Sequence, residues 1–146
     1  MKFKHYSTVD IVTTLEKQNI INFLNEYLDE YGDSKKDISI AIEYALTATP
    51  MAGGFILQAI ENDNIVGVVI MNQTGMKGYI PENILVYIAV DRNERGKGIG
   101  QKLIEESVYY TKGDISLHVE TNNPAKFLYE KAGFKTPYLE MRLKRN

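Results

Sequence analysis

The stretch NILVYIAVDRNERGKGIGQKLI, residues 83–104, decides how this chain folds. Its first eight residues are a strongly apolar run, as a central strand buried on both faces requires. Gly96, Gly98 and Gly100 follow among Arg95 and Lys97, and an amphipathic stretch begins at Ile99 with Ile99, Leu103 and Val108 on one face. The order is strand, glycine-rich turn, helix. A helix start leaves backbone N–H groups unpaired and carries the positive end of the helix dipole, so anions bind there. Glycine removes Cβ atoms and lets an anion approach the backbone. Arg95 and Lys97 add positive charge. A phosphate or pyrophosphate site is expected here, with a tight turn that holds no ligand as the bland alternative.

Working outward, MKFKHYS reads as a short first strand. Residues 7–32 carry Ile20, Ile21, Phe23, Leu24, Tyr27, Leu28 and Tyr31 at helical spacing, with Gly32 as a stop. A second helix begins at Asp33 or Ser34, buries Ile38, Ile42, Ala45 and Leu46, and ends by Pro50. GFILQAI and IVGVVIMN read as a β-hairpin turning at Asp63 and Asn64. Downstream of the opening stretch, DISLHVE is a strand and NPAKFLYEKAGF a short helix with Asn123 as cap, Pro124 first and Gly133 at its end. TPYLEMRLK closes the chain as a strand, with Leu139, Met141 and Leu143 alternating. Helices are expected on the faces of a mixed sheet.

Composition narrows the function. The 146 residues suit one domain with a real core, residues 1–146. A net charge of −2 does nothing to recruit nucleic acid, which leaves only local basic patches to do so, and no nucleic-acid partner is expected. Without cysteine there is neither a disulfide nor a thiolate metal site. Neither His5 nor His118 has a ligand cluster around it in the sequence, so no metal is expected. No apolar signal core follows the N-terminus and no apolar run is long enough to span a bilayer. A soluble, cytoplasmic protein without membrane attachment is the expectation.

Two common phosphate motifs fail. A P-loop needs Ser or Thr after its Lys, but Gly98 follows Lys97; the dinucleotide fingerprint needs a third Gly where Gln101 stands. The spacing that fits is [RQ]-x-x-G-x-[GA], at Arg95, Gly98 and Gly100. A second pattern, N-x-x-A-x-x-[LF]-Y-[EK]-x-x-G-F, fits NNPAKFLYEKAGF from Asn122 to Phe134. On these two motifs the chain resembles the GNAT superfamily of acyl-CoA-dependent N-acyltransferases, and the order of elements extends the resemblance over nearly the whole chain.

The resemblance implies an α/β (α+β) fold. Its central sheet would be mixed and largely antiparallel, with six to seven strands, about four flanking helices, and a splay between the fourth and fifth strands. It implies transfer of an acetyl group from acetyl-CoA to a primary amine, on a small molecule or on a protein or peptide, by direct attack in a ternary complex. A non-catalytic module that binds or senses acyl-CoA is the alternative. The loop Arg95, Gly96, Lys97, Gly98, Ile99, Gly100, Gln101 would hold the pyrophosphate of coenzyme A. The backbone of Ile88, Ala89 and Val90 would pair with the pantetheine arm and supply an N–H to the oxyanion. Asn123 would touch the same arm as well as capping its helix, with capping alone as the alternative, and Lys126 would approach the phosphates, with a solvated helix lysine as the reading to set against it.

Tyr129 falls on the motif tyrosine and is the candidate general acid, because a phenol keeps its proton at neutral pH. The base is less legible. Some relatives carry a glutamate where Ile84 stands here; Glu82, two residues earlier, would act through water, with Glu120 and His118 as weaker candidates. The acceptor region would include Tyr27, Glu30, Tyr31, Tyr44 and the loop TPMAGG. Relatives dimerise in some cases through C-terminal strands, and YLEMRLK offers one for a homodimer.

Overall fold

A computed structural model describes residues 1–50 and 52–145; Met51, in the loop TPMAGG, lies outside the described residues. The elements run β1 (Lys2–Ser7), α1 (Thr14–Tyr27), α2 (Lys35–Leu46), β2 (Gly54–Glu61), β3 (Asn64–Gln73), β4 (Asn83–Val90), α3 (Ile99–Tyr110), β5 (Ile115–Ser116) and α4 (Ala125–Lys131). Thr13 and Glu16 form a capping box that starts α1, each accepting from the other's backbone N–H at 3.1 Å. Ser34, not Asp33, caps α2 by accepting from the Asp37 amide. The first helix stops at Tyr27, ahead of Gly32, because Asp29 turns into the left-handed region at φ 55°. The hairpin turns at Asn62 and Asp63, both at positive φ, and Asn64 already belongs to β3.

The strands lie in the order β1-β2-β3-β4-β5. The first four pair antiparallel, and β5 joins β4 in parallel. Ile20, Leu24, Ile38 and Ile42 of α1 and α2 pack on one face against Ile56, Val68, Ile70, Tyr87 and Ala89. Ile99 and Leu103 of α3 pack on the other against Leu57, Val69, Met71 and Leu85. Ile104 and Ser107 complete the buried stripe of α3, while Val108, expected on it, is 52% exposed. At 100° per residue Ser107, not Val108, falls under Leu103.

Two features of the sheet shape the site. Ile70 faces Tyr87 while Met71 faces Leu85, so Val86 is an extra residue in β4. Such a bulge bends its strand and sharpens the twist. Beyond that, β4 and β5 pair only at Asn83–Ile115 and Ile84–Ser116. Past Ile84 no strand of the described residues pairs with the outer edge of β4.

The six to seven strands expected are five among the described residues. DISLHVE yields only the two residues of β5, and TPYLEMRLK forms no strand. Leu139, Met141 and Leu143 stand 81–90% exposed. Alternation supplies a strand with a face; a ladder also needs a neighbouring edge, and two residues of β5 do not provide one.

Candidate acyl-transfer site

The candidate site lies along the open edge of β4. The Asp91 amide donates to the Val66 carbonyl at 3.0 Å. Antiparallel pairing alternates, so Ala89 opposite Val68 turns its polar groups to β3, while Ile88 and Val90 turn theirs to the open edge. Of the three residues expected to offer backbone groups, Ile88 and Val90 can do so and Ala89 cannot. The Val90 carbonyl already accepts from Arg95 Nε at 3.0 Å. Ile88 therefore presents the free N–H and C=O beside the bulge.

The glycine loop lies at the end of this edge. Gly96 and Gly98 take φ of 81° and 82°, conformations that side chains strain to adopt, and the space over their Cα atoms is open. Among the described residues, no acceptor of the chain pairs with the amides of residues 96–101. Six N–H groups thus gather at the start of α3, a ready anion cradle. Gly100 is helical and serves packing instead: a Cβ there would lie 3.0 Å from a methyl of Leu128 on α4.

The two loop cations have partners within the chain. Arg95 Nη1 meets Asp29 Oδ2 at 3.1 Å and its Nη2 donates to the Tyr27 carbonyl at 2.9 Å. Lys97 pairs with Glu94 at 2.8 Å. Both charges are met by the protein, and the amides carry the invitation to an anion. Gln101 bonds Glu105 at 3.2 Å along the exposed face of α3.

Asn123 Oδ1 accepts from the Ala125 amide at 2.9 Å, which fixes the start of α4. Lys126 and Tyr129 both lie on α4. Tyr129 is 8% exposed, and burial pushes its phenol up to about 12. Its hydroxyl has no hydrogen-bond partner among the described residues, and its ring meets Phe134 edge-on at 6.0 Å. Its ring is buried while its hydroxyl meets no acceptor among the described residues, which leaves the O–H free to donate to a ligand.

Glu82 has other work. One carboxylate oxygen accepts from the Asp114 amide at 2.7 Å and the other from Gly78 at 3.0 Å. These amides hold its pKa below the usual carboxylate value, which makes it a weaker base. It braces two loops where β4 begins. His118 and Glu120 are exposed beyond β5. No group of three or more potential ligands for a metal gathers among the described residues, and none of the described helices is long and apolar enough to cross a membrane.

The α1–α2 connection, which holds Glu30 and Tyr31 of the expected acceptor region, is anchored by contacts that no local pattern announces. Its Asp29 receives Arg92 and Arg95, Tyr31 donates to the Asn122 carbonyl at 3.1 Å, and Asp33 accepts from Tyr87 at 2.5 Å. Three anchors thus tie it to the glycine loop, to the turn before α4, and to β4 beside the bulge. The separations of 54 to 91 residues leave no mark in a local pattern.

A bulged strand with an open edge leads into an amide-lined helix start, and a buried tyrosine lies on the next helix. Residues 52–136 match the acetyltransferase (GNAT) domain, and the chain belongs to that family. It is 32% identical over 85 residues to N-alpha-acetyltransferase 30 of Schizosaccharomyces pombe, a match covering 55% of this chain and 57% of that protein. The chain thus matches little more than half the length of that relative. Among solved structures it resembles an aminoglycoside 6'-N-acetyltransferase from Acinetobacter haemolyticus, with a TM-score of 0.73 at 15% identity over 100% of this chain and 99% of that one. A ribosomal-protein-alanine N-acetyltransferase from Brucella melitensis matches with a TM-score of 0.66 at 16% identity over 100% and 99%.

Proposed function

We propose that this chain is an acetyl-CoA-dependent N-acetyltransferase acting on a primary amine. The observation that carries the reading is the free Ile88 edge of β4 running into unpaired amides 96–101, with the partnerless Tyr129 hydroxyl on the following helix. The diphosphate of coenzyme A fits the amides, and the pantetheine arm fits the edge as an added strand. The amine nitrogen attacks the thioester carbonyl, and the Ile88 N–H receives the developing oxyanion. The C–S bond then breaks. Tyr129 donates to the departing sulfur, and because its proton is held more tightly than a thiol's, the ammonium formed by the attack is the final proton source. Asn123 holds α4 in place, and Lys126 reaches toward the phosphates.

The acceptor class follows from the base. Ile84 offers no carboxylate, and Glu82 is a brace, so the site suits an amine that is partly neutral by itself. An α-amine, with a pKa of about 7.7–8.0, is roughly a third neutral at pH 7.5, whereas a lysine amine near 10.4 is about one part in a thousand neutral. A peptide N-terminus is therefore the preferred acceptor, in keeping with the printed name of the fission-yeast relative. The non-catalytic alternative draws on the same missing carboxylate: a protein that only holds acyl-CoA needs no base.

Thermal unfolding with acetyl-CoA, CoA and ATP, followed by turnover on peptides and free lysine, tests the reading. Saturation a hundredfold above Kd adds about 2.7 kcal/mol. Stabilisation by both CoA ligands but not ATP, with peptide α-amines acetylated first, is expected. Stabilisation without turnover on any amine selects the binding module. No stabilisation by either CoA ligand removes the site.

A further inference from the structure

The β4–α3 segment contributes two arginines, and both bond Asp29 and carbonyls at the end of α1. Arg92 gives Nε and Nη2 to Asp29 Oδ1 at 3.0 and 2.7 Å, and Nη2 also to the Glu26 carbonyl at 2.8 Å. Its guanidinium lies 5.2 Å from the centre of the Tyr27 ring. Arg95 spans Asp29, the Tyr27 carbonyl and the Val90 carbonyl. The last turn of α1 has no basic residue of its own. Its unpaired carbonyls and negative dipole end are met instead by cations from the β4–α3 loop, more than sixty residues away. Asp29 makes this clasp at φ 55°, a backbone conformation costly for residues other than Gly, Asn and Asp. Burial would raise its pKa; the bonds from Arg92 and Arg95 outweigh that and hold it below its ordinary value.

From this geometry we infer that Asp29 is a positioning residue for the coenzyme site. It draws both guanidinium groups onto the end of α1, and the loop is left to present its backbone amides to the diphosphate. Arg95, at the motif position that the family pattern reserves for a cation or amide, acts here through loop shape. The inference rests on the coenzyme A reading above.

It has an unusual sign. Removing a carboxylate beside an anion site, and freeing an arginine there, should tighten anion binding by simple electrostatics. A positioning role demands the opposite. The test is calorimetric titration of CoA into the parent chain, Asp29→Asn, Arg95→Lys and the double variant. Asn tolerates positive φ, so the backbone at residue 29 is kept. Lysine keeps the charge at residue 95 but cannot span three acceptors. Each single variant is expected to weaken CoA binding by roughly five- to tenfold, the double no further than the worse single. KM for acetyl-CoA should rise while kcat at saturation holds. Unchanged or tighter CoA binding by Asp29→Asn overturns the role. Should that variant fail to fold, full affinity in Arg95→Lys overturns it equally. A parent chain that binds no CoA removes the site itself, an outcome seen without any variant.

Discussion

The Tyr87 hydroxyl donates to the Asp33 carboxylate at 2.5 Å, joining the strand residue beside the Val86 bulge to the residue before the α2 cap. Burial and the neighbouring carboxylate both push the phenol's pKa up, so it stays a donor. Phenylalanine at this site would keep the ring in the core and lose only the bond. Asp33 is exposed and can be rehydrated. Tyr87→Phe should cost about 1 kcal/mol in urea unfolding. In turnover it should raise KM for the acceptor more than KM for acetyl-CoA, since the bond secures the connection and not the glycine loop. Equal changes in the two constants would count against a connection that faces the acceptor.

Gly98 and Gly100 stand two residues apart in one motif for different physical reasons. Gly98 needs positive φ; Gly100 is helical and needs room beside Leu128. Gly98→Ala should destabilise by about 1–2 kcal/mol through backbone strain. Gly100→Ala gains up to about 1 kcal/mol of helix propensity, set against a shift of a few tenths of an ångström in a flexible leucine. Its unfolding midpoint should stay close to the parent's. Urea titrations of the two variants side by side would show whether one cost exceeds the other as argued.

What could be read in the sequence is what local patterns encode. Caps, apolar periods and glycines placed α1 to α4 and β1 to β4, and two motifs placed the loop and Tyr129. Where an element depends on a partner, the pattern misled. Leu139, Met141 and Leu143 alternate as a strand should, yet no edge receives them. Glu82 looked free on its strand, while two amides from separate loops already hold it. The motif position of Arg95 says nothing of its bond to Asp29, 66 residues away in the chain. Ala89 differs from Ile88 only in the phase of hydrogen bonding, which the β3 register sets.

Glu16 ties acid stability to the first helix. It accepts from the Tyr6 hydroxyl, closes the Thr13 capping box and lies 3.6 Å from Lys4. The Tyr6 bond first, then the Thr13 bonds, lower its pKa from 4.5 to about 2. A carboxylate with a lowered folded pKa contributes stability that is fully present above 4.5 and lost as pH falls toward 2. Glu16→Gln should melt lower at pH 7. Its melting temperature should also fall less steeply than the parent's between pH 4.5 and pH 2. Parallel curves over that interval would assign the acid sensitivity to other groups.

Tyr129 allows the sharpest test of mechanism, because its hydroxyl has no partner to lose in the free protein. Tyr129→Phe should leave the melting temperature close to the parent's, since the substitution keeps the buried ring and removes a hydroxyl that bonds no group among the described residues. CoA should still bind. Turnover should fall by about a hundredfold or more if the phenol donates to the leaving sulfur. The pH profile carries the same argument. Burial pushes the phenol up to about 12, so its proton is retained well above neutrality. The rate should climb as the acceptor amine loses its proton, then hold level to about pH 10. A fall between pH 8 and pH 10 in the parent, absent from Tyr129→Phe, would mean the phenol titrates far lower with acetyl-CoA bound; the same fall in both proteins would mean the acid is another group.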